Sequence, residues 1–397
     1  MNTNLNKDKI VIIDFGSQVT KLIARRIREY SVLSEVLTLK DIKNFFLSSN
    51  VKGIILSGGP STVTKSFFPK IPDTIFNLNI PILGICYGLQ LITKQFKGKV
   101  KANLKKREFG RAVLIKKKNS LLTKNFFKRN KSIVWMSHQD SVHKLPKDFS
   151  KIASTSQSLM TIIENKKKKI YGIQFHPEVT HTNNGHIIFK NFIFDICKAK
   201  KQWNLVSEKK RIIKNIKQIV KKDKVICALS GGVDSSVAAL LIHKAIGKNL
   251  KCIMVDTGLM RKNEFKSSYK IFKNKYKLNV KIINASKIYF KKLKNIDDPE
   301  KKRKIIGNLF IKLFEKEAKL FKNVKFLAQG TLYPDIIESR SATGSKTSKI
   351  KSHHNVGGLP KKMNLKLIEP LKEFFKDEVR ELGDSLGLVK TISNKHP

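Results

Sequence analysis

Two short segments constrain this chain more than anything else in it. Residues 81–85 are an apolar run that leads into Gly84-Ile85-Cys86-Tyr87-Gly88, and a helical pattern follows over 88–96. Residues 225–229 lead in the same way into Ser230-Gly231-Gly232-Val233-Asp234-Ser235-Ser236, with a helical pattern over 235–246. A buried strand that passes through a tight glycine turn into a helix is the building unit of α/β folds with mainly parallel sheets. Its presence in each half predicts two such domains, as a length of 397 residues also suggests. Further apolar runs at 9–14, 53–56, 133–136 and 170–175 read as strands of the first half, with helices over 19–30 and 186–197. A polar stretch, 198–210, reads as the inter-domain linker. The second half adds candidate strands at 251–255, 326–329 and 365–369.

The formal net charge of +51 raises the question of nucleic acid. The lysines are scattered in short runs such as Lys116–Lys118 and Lys166–Lys169, and they are not interleaved with aromatic residues on one stripe. Lys, Asn, Ile and Phe are all abundant, as a compositional bias would make them. The charge therefore reads as solvated surface, with only weak, salt-sensitive affinity for polyanions. No apolar run approaches the ~20 residues that span a bilayer. The polar start has no signal-peptide core, so a cytoplasmic location without membrane attachment is expected. The four cysteines, Cys86, Cys197, Cys227 and Cys252, form no C-x-x-C pair, which removes the usual zinc and redox signatures.

Cys86 is the cysteine whose surroundings suggest chemistry. Its G-x-C-x-G context puts the sulfur on a sharp strand-to-helix turn. A helix N-terminus favours an anion, and the thiolate is the reactive form of cysteine. Such a nucleophile needs a base and a group that orients the base. His176-Pro177-Glu178, directly after the apolar run 170–175, supplies both in one turn. Attack on an amide carbonyl also creates an oxyanion, which backbone N–H groups can hold. Ser57-Gly58-Gly59-Pro60 follows the run 53–56 with sterically open donors.

The loop Ser230–Ser236 suits a polyphosphate. Successive N–H groups form an anion nest, and the dipole of the helix behind adds to it. It lacks the Gly-Lys-Ser/Thr ending of a Walker A loop.

These motifs carry a resemblance. LSGGP, GICYG and FHPEVTHT resemble the class I, triad-type glutamine amidotransferases over residues 8–200. The resemblance implies Cys86 as nucleophile, His176 as proton shuttle, Glu178 as its orienting partner, and Gly59 and Tyr87 as oxyanion N–H donors. Arg107–Arg111 and Ser137-His138-Gln139-Asp140 also match, although the family usually has glycine where Gln139 stands. SGGVDSS is similar to the pyrophosphate loop of the N-type ATP pyrophosphatases (adenine nucleotide alpha hydrolase-like), here residues 211–388 after a linker at 201–210. Ser230, Gly231, Gly232, Val233, Asp234, Ser235, Ser236, Val255 and Gly330 would then bind ATP, and Asp234 would help to hold Mg²⁺.

The segments DDPEKKRKIIG (297–307), YPDIIES (333–339), IKSHHNVGGLP (350–360) and EPLKEFFKDEVR (369–380) resemble the GMP synthase family in particular. By that resemblance XMP, ATP and glutamine are the substrates, with no permanent cofactor. ATP adenylates XMP, and ammonia from glutamine then displaces AMP. Arg303, Asp335, Glu338, Lys351, His353, His354, Asn355, Lys376 and Asp377 would surround the substrate. The family is homodimeric through a C-terminal domain, of which residues 389–397 would be the start. On that reading, this chain by itself should bind ATP and turn XMP over poorly. The rival reading is an RNA-modifying pyrophosphatase or RNA-binding protein, motivated by the charge. The triad and the missing C-x-x-C oppose it.

Overall fold

The structure, a computed structural model, describes residues 7–42, 50–102, 107–342 and 365–393. The chain divides into two compact units, Met1–Trp203 and Asn204–Pro397.

In the first unit the elements run β1 (Lys9–Asp14), α1 (Thr20–Arg28), β2 (Leu33–Thr38), β3 (Val51–Leu56), β4 (Ile82–Ile85), α2 (Tyr87–Gln95), β5 (Lys99–Ala102), β6 (Glu108–Lys116), β7 (Lys131–His138), β8 (Asp140–Lys144), β9 (Ser150–Ser154), β10 (Ile162–Asn165), β11 (Ile170–Ile173) and α3 (Gly185–Lys190). Helix α3 continues into a wider turn over Asn191–Ile196. Nine strands form one sheet in the order β2-β1-β3-β4-β11-β10-β9-β6-β7. From β2 to β11 all pairings are parallel. From β11 to β7 they are antiparallel. The parallel half is made of the continuous apolar runs that doubly covered strands require. Ile10, Ile12, Ile13, Ile54, Ile55, Leu56 and Leu83 are wholly buried there. The antiparallel half is new information, since only its β7 was legible as an apolar run. Strand β6 alternates, with Leu114 buried while Phe109 and Val113 are exposed, and such half-solvated strands leave a weak trace in sequence.

The second unit runs α4 (Leu205–Val220), β12 (Lys224–Ala228), α5 (Val233–Ile246), β13 (Leu250–Asp256), α6 (Glu264–Lys270), β14 (Val280–Asn284), α7 (Ser286–Leu293), α8 (Pro299–Ala318), β15 (Val324–Ala328), α9 (Tyr333–Ala342), β16 (Lys366–Ile368), α10 (Lys376–Ser385) and α11 (Lys390–Ser393). Its five strands are all parallel, in the order β14-β13-β12-β15-β16. The order reverses between β12 and β15, and in open parallel sheets ligands bind at the carboxyl ends of the strands beside such a reversal.

The stretch 198–210, expected as a linker, is ordered throughout. The Lys200 N–H donates to Asp8 Oδ2 at 3.0 Å, and the Trp203 N–H to the Ser31 carbonyl at 2.8 Å. The Arg28 guanidinium lies 3.8 Å from the centre of the buried Trp203 ring. Helix α4 begins directly afterwards, because the Asn204 side chain caps it by accepting from the N–H groups of Val206 and Ser207. A polar composition therefore concealed a helix whose apolar face, Ile212, Ile216 and Val220, is buried. Residues 389–393, expected to open a further domain, include α11, whose Ile392 is buried. Among the described residues no helix is long and apolar enough to cross a membrane.

Candidate functional site

In the first unit the ends of three parallel strands converge. Strand β4 delivers Cys86, β3 delivers Ser57-Gly58-Gly59, and β11 runs on to His176. Cys86 is the N-cap of α2 and takes φ +53°, ψ −104°. A left-handed φ on a non-glycine residue costs on the order of 1–3 kcal/mol and persists only where the surroundings enforce it. They do so here through close contact. A Cβ on Gly88 would lie 2.3 Å from the Leu56 carbonyl oxygen, and one on Gly84 would lie 2.5 Å from the Gly88 carbonyl. Strand, turn and helix are therefore pressed together in a way that only glycine permits. We expect Gly88→Ala to destabilise the first unit by about 1–3 kcal/mol, the cost of overpacking a tight core. Thermal unfolding would measure it, and an unchanged melting temperature would mean that the elbow can relax.

His176 and Glu178 are both buried, with His176 Nδ1 2.7 Å from Glu178 Oε1. The antiparallel half of the sheet fixes the histidine backbone. The His176 N–H donates to the Trp135 carbonyl at 3.0 Å, and Thr182 Oγ1 donates to the His176 carbonyl at 2.6 Å. Burial alone would push the imidazole pKa down. The 2.7 Å bond to Glu178, the proximity of Cys86 and the charges of both outweigh burial and raise it from 6.5 to about 10. The surroundings thus favour the protonated imidazole beside the Cys86 sulfur. Two further groups approach that sulfur: the Ser137 carbonyl at 3.7 Å and the Gln174 amide nitrogen at 3.8 Å.

The glycine loop also reaches Cys86. A Cβ on Gly58 would meet His176 Cε1 at 3.4 Å and Cys86 Cβ at 3.7 Å. Tyr87 is the first residue of α2, where a backbone N–H has no partner within the helix. His176 and Glu178 are thus in direct contact, Gly58 lies against His176 and Cys86, and Gly59 and Tyr87 are the next residues in the chain after Gly58 and Cys86. Sequence reading missed Arg26, whose Nε donates to the Glu178 carbonyl at 3.1 Å from α1. No local pattern marks a contact across that separation. Gln139, where the family favours glycine, sits exposed between β7 and β8 and does not take a positive φ, so its backbone imposes no demand for glycine.

In the second unit, Ser230–Ser236 joins β12 to α5 at the reversal of strand order. Gly231 takes φ +82°. Hydroxyls lace the turn: Ser230 Oγ and Ser235 Oγ are 3.0 Å apart, Ser230 Oγ accepts from the Gly232 N–H at 3.3 Å, and Ser236 Oγ donates to the Gly232 carbonyl at 2.6 Å. Gly330, just beyond β15, packs on the same turn, since a Cβ there would lie 3.0 Å from the Asp234 carbonyl carbon. Val255 lies near the end of the neighbouring β13 and is buried.

Asp234 and Lys376 were expected in different roles, as metal ligand and as substrate contact. The fold joins them: Lys376 Nζ, at the start of α10, is 2.7 and 2.6 Å from the two Asp234 oxygens. Asp377 follows in the first turn of α10. Asp335 Oδ2 accepts from the Leu332 N–H at 2.9 Å at the start of α9, where Glu338 is exposed. Arg303 is on α8 and pairs with Glu300 of its own helix at 2.6 Å. Lys351, His353, His354 and Asn355 lie outside the described residues.

Comparison with known proteins agrees with both halves. Residues 11–196 match the family Glutamine amidotransferase class-I, and residues 205–310 match the family NAD synthase. Over almost the whole chain the likeness is to GMP synthase (glutamine-hydrolyzing). The protein of that name from Brachyspira hyodysenteriae is 51% identical over 392 residues, covering 99% of this chain and 76% of its own length. That from Fusobacterium nucleatum is 50% identical over 99% of this chain and 76% of the relative. That from Elusimicrobium minutum is 53% identical over 98% of this chain and 76% of the relative. The reading of the charge as nucleic-acid binding gains nothing from these likenesses. With one unit matching the amidotransferases, another matching NAD synthase, and relatives of one kind matched over almost the whole chain, the chain belongs to the GMP synthase (glutamine-hydrolyzing) family of ATP-using C–N ligases.

Proposed function

We propose that the cluster around Cys86 produces the ammonia and that the turn Ser230–Ser236 binds the ATP that activates the nucleotide acceptor. The observation that carries this reading is the strained Cys86 elbow beside the buried His176–Glu178 pair, 2.7 Å apart. Cys86 sulfur attacks the side-chain amide carbon of glutamine. The carbonyl oxygen becomes an oxyanion, held by the N–H groups of Gly59 and Tyr87. His176 gives its proton to the leaving nitrogen, and ammonia departs from a glutamyl thioester. The same ring then takes a proton from water as the thioester is hydrolysed to glutamate. Glu178 keeps Nδ1 engaged, so that Nε2 is the nitrogen left for the reaction.

In the second unit the N–H groups of the glycine turn and the N-terminus of α5 receive the ATP phosphates. Lys376 adds a positive charge beside them, held in place by Asp234. Attack of the C2 oxygen of XMP on the α-phosphorus expels pyrophosphate, and ammonia displaces AMP to leave GMP. Among the described residues no group of three or more His, Cys, Asp or Glu could hold a metal ion. Asp234 is the one carboxylate in the turn and both its oxygens are on Lys376. These residues do not form a dedicated Mg²⁺ cage, and a divalent ion would be carried mainly by the phosphates of ATP.

The test is release of AMP, pyrophosphate and glutamate from XMP, ATP and glutamine. Whatever the rate of turnover, release of pyrophosphate in step with GMP is expected, and glutamine hydrolysis without any XMP-dependent pyrophosphate would overturn the assignment of the second unit. Asp234→Ala should lower pyrophosphate release by ~10²-fold, the scale on which losing one preorganised electrostatic partner acts. Basal glutamate release should remain. Unchanged conversion of ATP to AMP in that variant would reduce the turn to a structural feature.

A further inference from the structure

The Ser57 hydroxyl is wholly buried and makes two hydrogen bonds at the edge of the glutaminase cluster. It accepts from the Phe15 N–H at 3.1 Å and donates to the Gly58 carbonyl at 2.8 Å. Its backbone is tied as well, since the Ser57 N–H donates to the Ile13 carbonyl at 3.1 Å. The Gly58 carbonyl belongs to the peptide that carries the Gly59 N–H. In a trans peptide the C=O and N–H of one plane are directed oppositely. A hydroxyl that holds the oxygen on the β1 side therefore turns the N–H the other way. A Cβ on Gly58 would lie 3.4 Å from His176 Cε1 and 3.7 Å from Cys86 Cβ, and one on Gly59 would lie 2.6 Å from the Phe15 carbonyl oxygen. Two consecutive glycines leave this peptide otherwise free to rotate.

We propose that Ser57 is a positioning residue that locks the Gly58–Gly59 peptide with its N–H directed to the oxyanion, an inference that rests on the assignment of Gly59 as an oxyanion donor. The Ser57 hydroxyl bonds only to the backbone of Phe15 and Gly58. It acts on the transition state through one peptide plane, and its loss lets that plane turn over.

The experiment compares Ser57→Ala and Ser57→Thr with the wild type in three readouts. The first is steady-state glutamate release. The second is inhibition by the aldehyde analogue of glutamine. The Cys86 sulfur adds to the aldehyde carbon, the carbonyl π pair moves to oxygen, the proton given up by the thiol passes to that oxygen, and a reversible hemithioacetal forms whose oxygen occupies the oxyanion position. The third is alkylation of Cys86 by iodoacetamide, in which sulfur displaces iodide and no oxyanion forms. For Ser57→Ala we expect kcat to fall ~10²-fold with KM little changed, as for removal of one oxyanion donor. Aldehyde inhibition should weaken by a comparable factor while alkylation keeps its wild-type rate, and Ser57→Thr, which retains the hydroxyl, should recover most of the loss. Wild-type kcat and aldehyde affinity in Ser57→Ala would overturn the proposal. So would an equal loss of turnover and alkylation, which marks general damage to the cluster. If the wild type binds the aldehyde no more tightly than the corresponding alcohol, the oxyanion assignment itself fails, and Ser57 loses its role with it.

Discussion

Replacing Cys86 by alanine is expected to lower glutamate release at least ~10⁴-fold, the scale of losing a covalent nucleophile. Formation of GMP from added ammonia should persist in the same variant. The asymmetry follows from the two units. Cys86 lies between β4 and α2 of the first unit, whereas the phosphate turn lies between β12 and α5 of the second. The measurement is GMP formation with glutamine and with an ammonium salt, side by side. Equal loss with both nitrogen sources would mean that Cys86 supports more than ammonia release, and the division of labour would fall.

For His176→Ala the expected loss of glutaminase turnover is ~10²–10⁴-fold, the range of general acid–base catalysis. A companion prediction concerns pH. The folded pKa of His176 is raised above the ordinary 6.5 to about 10, because its bond to Glu178, the proximity of Cys86 and the charges of both outweigh burial. A raised value means that the protonated form is preferentially stabilised by folding. That stabilisation is complete below about 6.5 and is lost as pH rises toward about 10. The melting temperature of the wild type should therefore fall across this alkaline window, and that of His176→Gln should fall less. Parallel pH profiles for the two proteins would remove His176 from the linkage, and wild-type turnover in His176→Ala would remove it from the catalytic cluster.

The candidate site was largely legible in the sequence because its parts sit where strands end. An apolar run followed by glycine and a helical pattern identified Cys86 and the turn Ser230–Ser236, and both lie at strand-to-helix junctions in the structure. His176 and Glu178 share one short motif, so their 2.7 Å contact needs no distant partner. Lys376 and Asp234 were singled out separately, yet their pairing was not foreseen. They are brought together only when α10 packs on α5. Arg26 was not singled out at all, since an arginine in an amphipathic helix looks the same whether it faces water or a carbonyl oxygen.

The sequence by itself determined the two α/β units, the parallel strands β1, β3, β4 and β12, and the turns that follow several of them. These features depend on residues close in the chain, where apolar runs and glycines act directly on backbone conformation. Only the tertiary structure decided the antiparallel strands β6, β9 and β10, the ordered join at Trp203 and Asn204, and the partners of Ser57, Arg26 and Asp234. Each of those depends on which groups meet across the sheet or between layers. A half-solvated strand has little hydrophobic signature, and a hydrogen bond between distant residues has no period at all. Such contacts are selected by the geometry of the packed chain, in which a buried donor or acceptor left without a partner costs about 1–3 kcal/mol.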